Sequence, residues 1–92
     1  MAIASVNPAN GKVLRSFAEA SAAEIEAALT LAERTFRAWR STDFASRAAK
    51  MRRAAEILEE DRRRFGETMT LEMGKPLGAA IAEVEKCASV CR

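Results

Sequence analysis

The run Thr70-Leu71-Glu72-Met73-Gly74-Lys75-Pro76-Leu77 constrains the fold more than any other stretch of this chain. A glycine ends one helical pattern and a proline two residues later sits in the first turn of the next. The chain therefore stops one helix and restarts another across a single residue, which sets two amphipathic segments at a corner.

The patterns on either side are helical. Ser21-Ala22-Ala23-Glu24 has the form of a capping box, a hydroxyl at the N-cap and a carboxylate three residues on. Ile25, Ala28, Leu29, Ala32, Phe36 and Trp39 follow at steps of three and four, so one face of a helix over about 22–40 is apolar. Ser41-Thr42-Asp43 reads as a polar link. Phe44, Ala48, Met51, Ala55 and Leu58 mark a second helix over about 44–60, and their phase runs on through Phe65. The helix either extends or breaks near Asp61, and Gly66, which costs about 1 kcal/mol relative to alanine, favours a break. A segment over about 61–73 then stops at Gly74. The last helix, over about 76–92, turns Leu77, Ala80, Ile81, Val84, Ala88 and Cys91 inward. It has no glycine, asparagine or proline to close it at Arg92, which leads us to expect a truncated domain.

Before the helices, Ile3–Val6 and Lys12–Phe17 are short and rich in valine, isoleucine and leucine. Asn7-Pro8-Ala9-Asn10-Gly11 between them has turn chemistry: proline fixes φ and Asn-Gly tolerates a reversal. The expectation is a β-hairpin over about 2–18, marginal unless it leans on something else. The fold class is mainly α, a short N-terminal hairpin plus three to four helices, in one incomplete domain over 1–92.

Composition limits the core. Apolar residues make up 49% of the 92, but alanine supplies much of that, and the aromatics are only Phe17, Phe36, Trp39, Phe44 and Phe65. A chain this short buries only about 60–65% of its unfolded surface. The stripes thus offer more buried-type surface than they can satisfy among themselves, and the last helix and the hairpin edge seek a partner.

The net charge of +2, from 15 basic and 13 acidic residues, selects neither nucleic acid nor an anionic membrane as partner. No apolar run approaches the ~20 residues of a membrane span. Met1-Ala2-Ile3-Ala4-Ser5 has no basic n-region or long apolar h-region, so a cytoplasmic location is expected.

Residues that could carry chemistry read more simply as structure. Cys87 and Cys91 share a helix face at i and i+4, but zinc takes four ligands and the chain has no histidine. A disulfide between successive turns is strained. Buried small hydrophobes are the expected role. Arg52-Arg53 and Arg62-Arg63-Arg64 resemble a phosphate-binding surface until Glu56, Glu59, Glu60 and Asp61 are set among them. Glu59 with Arg63 and Glu60 with Arg64 have the favoured helical acid-to-base order. Gly74-Lys75-Pro76 lacks the glycine spacing of a phosphate loop. Glu83 and Glu85, two apart, face different sides of a helix and are no acid–base pair.

Taken in order, Asn7-Pro8-Ala9-Asn10-Gly11-Lys12-Val13, the helix bearing Ala32, Phe36 and Trp39, Arg47 through Leu58, and Leu71-Glu72-Met73-Gly74-Lys75-Pro76 resemble the N-terminal part of the aldehyde dehydrogenase superfamily. The Glu-Met-Gly-Lys-Pro run and the Glu85–Arg92 ending are most similar to bacterial NAD(P)-dependent succinate-semialdehyde dehydrogenases. The resemblance implies a three-layer α/β parent fold with a Rossmann-type cofactor domain, on which these helices pack. It implies an oxidoreductase that uses NAD or NADP, is a homo-oligomer (dimer or tetramer) when intact, and takes the rest of the chain and an aldehyde as partners. In the family a cysteine thiolate attacks the aldehyde, hydride passes to the nicotinamide, and a glutamate-activated water releases the acid. Those groups lie downstream in relatives, and Cys87 and Cys91 do not match the catalytic motif. The resemblance therefore implies no catalytic and no cofactor-binding residue here. It also implies a monovalent cation held by backbone carbonyls at positions matching Ser5 and Glu72. Two alternatives of other classes stand beside it: a standalone helical protein-interaction module, and a small nucleic-acid-binding helical protein.

Overall fold

A computed structural model describes residues 3–92. Its elements run β1 (Ile3–Val6), β2 (Val13–Phe17), α1 (Ala22–Trp39), α2 (Phe44–Glu60), α3 (Arg62–Met73) and α4 (Leu77–Val90). This is the mainly helical class with one antiparallel hairpin. Ala2, the first position of the expected hairpin, and Met1 lie outside the described residues.

The hairpin closes as its turn chemistry requires. Asn7 N–H donates to the Lys12 carbonyl at 2.9 Å and Gly11 N–H to the Asn7 carbonyl at 2.8 Å. The side chains of Asn7 and Asn10 accept from the N–H groups of Ala9 and Lys12, each at 2.9 Å, so the turn satisfies its own backbone. Gly11 takes the positive φ of 71°. The register pairs Ser5 with Arg15 but Val6 with Val13, a bulge that twists the ribbon next to the turn.

The capping box of α1 is complete. Ser21 N–H donates to Glu24 at 2.7 Å and Glu24 N–H to the Ser21 hydroxyl at 3.1 Å. Between α2 and α3 the chain breaks at Asp61, whose φ of −103° and ψ of 18° leave the helical region. That is the expected break, and Gly66 takes no part in it. Gly66 lies within α3 and is buried, and a Cβ built there would come within 2.8 Å of Ile81 Cγ1 and 3.1 Å of the Ile81 backbone nitrogen. The glycine is there so that α3 and α4 can cross closely; helix propensity gives way to packing.

The core lies at that crossing. α4 packs against α3 and α2, and β1 touches α3, whereas α1 meets another element among the described residues only at its last residue, Trp39, which Arg47 of α2 reaches. Ala55, Gly66, Ala80, Val84 and Ala88 are buried, and Val84 is the largest of them. Such a core stabilises little, since a fully buried valine contributes only about 1.5 kcal/mol. The shape follows. The chain measures 48 × 37 × 14 Å, one helix layer thick, with a radius of gyration of 17.5 Å; a compact domain of this length has about 12 Å. Its accessible surface is 7354 Å², where a compact 10 kDa protein exposes about 5,200 Å².

Candidate functional site

The place where the hairpin meets the helices is built from both ends of the sequence. Gly74 ends α3 in the left-handed region at φ 74°, and its N–H donates to the Thr70 carbonyl at 3.0 Å. A Cβ built on it would sit 3.2 Å from Pro8 Cγ, so Gly74 is required by backbone and by neighbour together. Beside it the Ser5 hydroxyl donates to Glu72 Oε1 at 2.9 Å, across 67 positions of sequence. The two residues singled out as a backbone cation site are thus brought together, and side chains make the visible link. Glu72 lies in the last turn of α3, where carbonyls lack intrahelical donors. Its i+4 residue is Pro76, which has no N–H to give. Pro76 itself is the N-cap of α4 and not its first residue, at φ −54° and ψ 137°.

The arginine-rich surface is neutralised, but by other pairs than the spacing suggested. The break at Asp61 takes Glu59 and Glu60 out of helical phase with Arg63 and Arg64. Arg63 instead reaches Glu67 at 3.0 Å, and Arg64 reaches Asp61 at 2.9 Å. Glu60 and Glu56 both take Arg53, and the hydrogen bonds its guanidinium donates to the two carboxylates, Glu56 first, hold it above its usual pKa. Glu59 receives a two-pronged bond from Arg92, at 2.8 and 3.0 Å, and Glu85 receives Arg62 at 3.4 Å. These last two tie α3 to the middle of α4 and α2 to Arg92, just beyond its end. Glu83 pairs with Lys75, whose hydrogen bond pulls the carboxyl below its ordinary range. Glu83 and Glu85 therefore serve opposite sides of the helix.

Cys87 is exposed and Cys91 half-buried, not the buried pair that free cysteine usually makes. The inward side of α4 is taken by Ala80, Val84 and Ala88. Cys87, one position off that stripe, faces an open groove of about 780 Å³ that Lys75, Glu83, Lys86 and Cys91 also line.

Two structural residues escaped sequence reasoning. Asp43, placed in a polar link, is the N-cap of α2: its carboxylate accepts from Ser46 N–H at 2.7 Å. That bond to the Ser46 backbone holds the Asp43 pKa down. The signal was present in the aspartate directly before the Phe44 stripe. Arg47 donates to the Trp39 carbonyl at 2.8 Å and lies 5.2 Å from the Trp39 ring centroid, which pins the end of α1 to α2. No spacing rule announces a contact across a helix junction.

A dinucleotide site of the Rossmann kind is not formed among the described residues. Such a site needs a parallel strand leading through a glycine-rich turn into a helix N-terminus. Here the sheet is a two-stranded antiparallel ribbon, and the N-termini of α1 and α2 are occupied by Ser21 and Asp43. Nor is there a group of three or more cysteine, aspartate and glutamate side chains placed to hold a metal ion among the described residues. No helix among them is long and apolar enough to cross a membrane.

The described residues thus form a slab one helix thick with the hairpin set against the end of α3. The model of the aldehyde dehydrogenase family matches residues 1–92, and the chain belongs to that family. It is 50% identical over its whole length to a probable NADP(+) succinate-semialdehyde dehydrogenase of Synechocystis sp., of which it covers 20%. It is 44% identical over 88 residues to the NADP(+) succinate-semialdehyde dehydrogenase 1 of Mycobacterium tuberculosis, matching 96% of this chain and 19% of that one. In structure it is similar to an NADP dependent enzyme of E. coli, with a TM-score of 0.87 and 37% identity, over 99% of this chain and 19% of that one. The chain thus spans about a fifth of the length of the relatives it matches.

Proposed function

We propose that this chain is a scaffold segment of an aldehyde dehydrogenase that oxidises succinate semialdehyde to succinate with NADP as coenzyme. The observation that carries the scaffold role is α1. None of its 18 residues is buried, although it bears Ile25, Leu29, Phe36 and Trp39 on one face. Those four keep about 39–60% of their surface open. Covering them recovers roughly 3–6 kcal/mol, half of what full burial from water contributes. That is too little to hold a separate partner, since association alone costs about 4–15 kcal/mol. It suffices for a cover joined to the same polypeptide. The substrate and NADP rather than NAD rest on the names of the Synechocystis and M. tuberculosis relatives. A cytoplasmic homo-oligomer completes the reading.

Within it the carbonyls of Ser5 and Glu72 hold a monovalent cation. Support comes from the Glu72 carbonyl, which Pro76 leaves without an i+4 donor, at the negative end of α3, which favours positive charge. The cation would bind the hairpin to the helix end; it takes no part in the chemistry.

The test is a chimera in which these 92 residues replace the matched fifth of the Synechocystis relative. It should oxidise succinate semialdehyde with NADP+, and the relative lacking that fifth should not. A soluble chimera without this activity, or turnover by the 92 residues unaided, overturns the reading.

A further inference from the structure

The groove along the outer side of α4 holds the chain's two thiols, and nothing in the scaffold role uses them. Cys87 and Cys91 are both free, both line the groove, and are joined by a backbone bond from Cys91 N–H to the Cys87 carbonyl at 3.2 Å. They therefore stand one helical turn apart on one face, where Cβ atoms are separated by about 5–6 Å. A disulfide needs Cβ atoms about 3.5–4.5 Å apart, so the pair is too wide for one. Metal–thiolate bonds run near 2.3 Å, so a linear sulfur–metal–sulfur unit spans about 4.6 Å. Two side chains leaning toward each other across one turn meet that span. The spacing that works against a disulfide suits a bridging ion.

We propose that Cys87 and Cys91 form a chelating site for a soft, two-coordinate monovalent cation of the Cu(I) class. Thiolates select such ions over harder ones. Two ligands complete a linear ion, whereas tetrahedral zinc would be left two short in a chain without histidine. Binding is ligand exchange without a change of oxidation state: two thiols each lose a proton and two sulfur–copper bonds form. The resulting bis-thiolate carries one negative charge, and the groove answers it. Lys86 lies beside Cys87 and takes part in none of the ion pairs among the described residues. Lys75 and Glu83 cancel each other, and Arg92 is held by Glu59. Of the two lysines lining the groove, Lys86 is the one without a salt bridge among the described residues, acting on Glu83 only at longer range.

The site is tested on the 92-residue chain under anaerobic, reducing conditions, by titration with Cu(I) against a chromophoric Cu(I) chelator. Mass spectrometry reads the stoichiometry and circular dichroism the helix content. One Cu(I) per chain is expected. Joining two ligands on one frame raises affinity about 10²–10⁴-fold, so Cys87→Ser and Cys91→Ser should each weaken binding by at least about 100-fold with unchanged helicity. A second variant separates geometry from thiol count. Cys91→Ser combined with Ser89→Cys keeps two thiols but moves one to the other side of the helix, and it should bind like the single serine variants. Equal affinity in that double variant, one ion shared between two chains, or no binding by the parent chain each overturns the proposal.

Discussion

α1 and α4 are built on opposite terms. α1 is rich in local helix signals: a reciprocal capping box, an acidic first turn, Arg37 in its last turn paired with Glu33 at 2.6 Å, and an apolar stripe. Yet none of its residues is buried. α4 has no side-chain cap and no acidic residue in its first turn, but it buries Ala80, Val84 and Ala88. Local chemistry and tertiary packing are therefore separable here. α1 is specified by its own sequence and leaves its apolar stripe open, while α4 is held by neighbours whose smallness lets them come close.

The sharpest way to break this comparison is to fill the crossing that holds α4. Gly66→Val puts a branched side chain where even a Cβ lies within 3.1 Å of the Ile81 backbone. Overpacking of this kind costs about 1–3 kcal/mol and occasionally more, and here the backbone contact places it at the upper end. Thermal unfolding followed by circular dichroism should show α3 and α4 destabilised together with α1 helicity retained. A variant as stable as the parent means that the crossing does not hold α4.

Gly74→Ala comes next. It forces a side chain into the left-handed region, which costs about 1–2 kcal/mol, and presses a Cβ to 3.2 Å from Pro8 Cγ. The hairpin should loosen from α3, read as faster amide exchange across Ile3–Val6 and at Thr70. Unchanged exchange there separates the hairpin from the corner.

These two glycines show what the sequence could and could not tell. Gly74 was legible because a helix stop followed by proline is a local event, and the same holds for Ser21 with Glu24 and for the Asn7–Gly11 turn. The stripe of α4 was legible at Ala80, Val84 and Ala88, because period and burial agree there. Gly66 was misread because its reason lies in another helix: a glycine kept for close approach looks, along the chain, like a weak point. The ion pairs of Glu59 and Glu60 failed for a related cause. A break of one residue at Asp61 rotates everything beyond it, and the partner Arg92 lies 33 positions away. Cys87 failed because one helical position, about 100°, separates a core position from an open groove. The Ser5–Glu72 pairing needs the fold itself, since nothing in either residue type announces it.

The local side of the comparison is sharpened by acid. In the folded chain the Ser21 backbone N–H and hydroxyl hold the Glu24 carboxyl below its ordinary range. A carboxylate depressed by folding contributes stability above its unfolded pKa, near 4.3 for glutamate, and loses it as pH falls through the folded value. The start of α1 should therefore fray as pH drops from about 5 to 3, seen as lost helical ellipticity and faster exchange at Ala23–Ile25. Glu24→Gln removes the titrating carboxylate and should flatten that acid response. An acid transition of equal size in the variant assigns it to another carboxylate, Asp43 first.

The smallest effect decides most. Leu29 stands in the middle of the α1 stripe and is 60% exposed. In the 92-residue chain Leu29→Ser should change stability by less than about 0.5 kcal/mol, as a surface substitution does. In the chimera with the Synechocystis relative, where a cover is present, the same change should cost about 1.5–3 kcal/mol, the worth of a buried leucine. The difference between the two backgrounds, read from paired urea unfolding curves, measures the missing surface directly. If it vanishes, the stripe of α1 is bare in the larger protein as well. The contrast between α1 and α4 would then be a lasting property of the fold and not the mark of an absent neighbour.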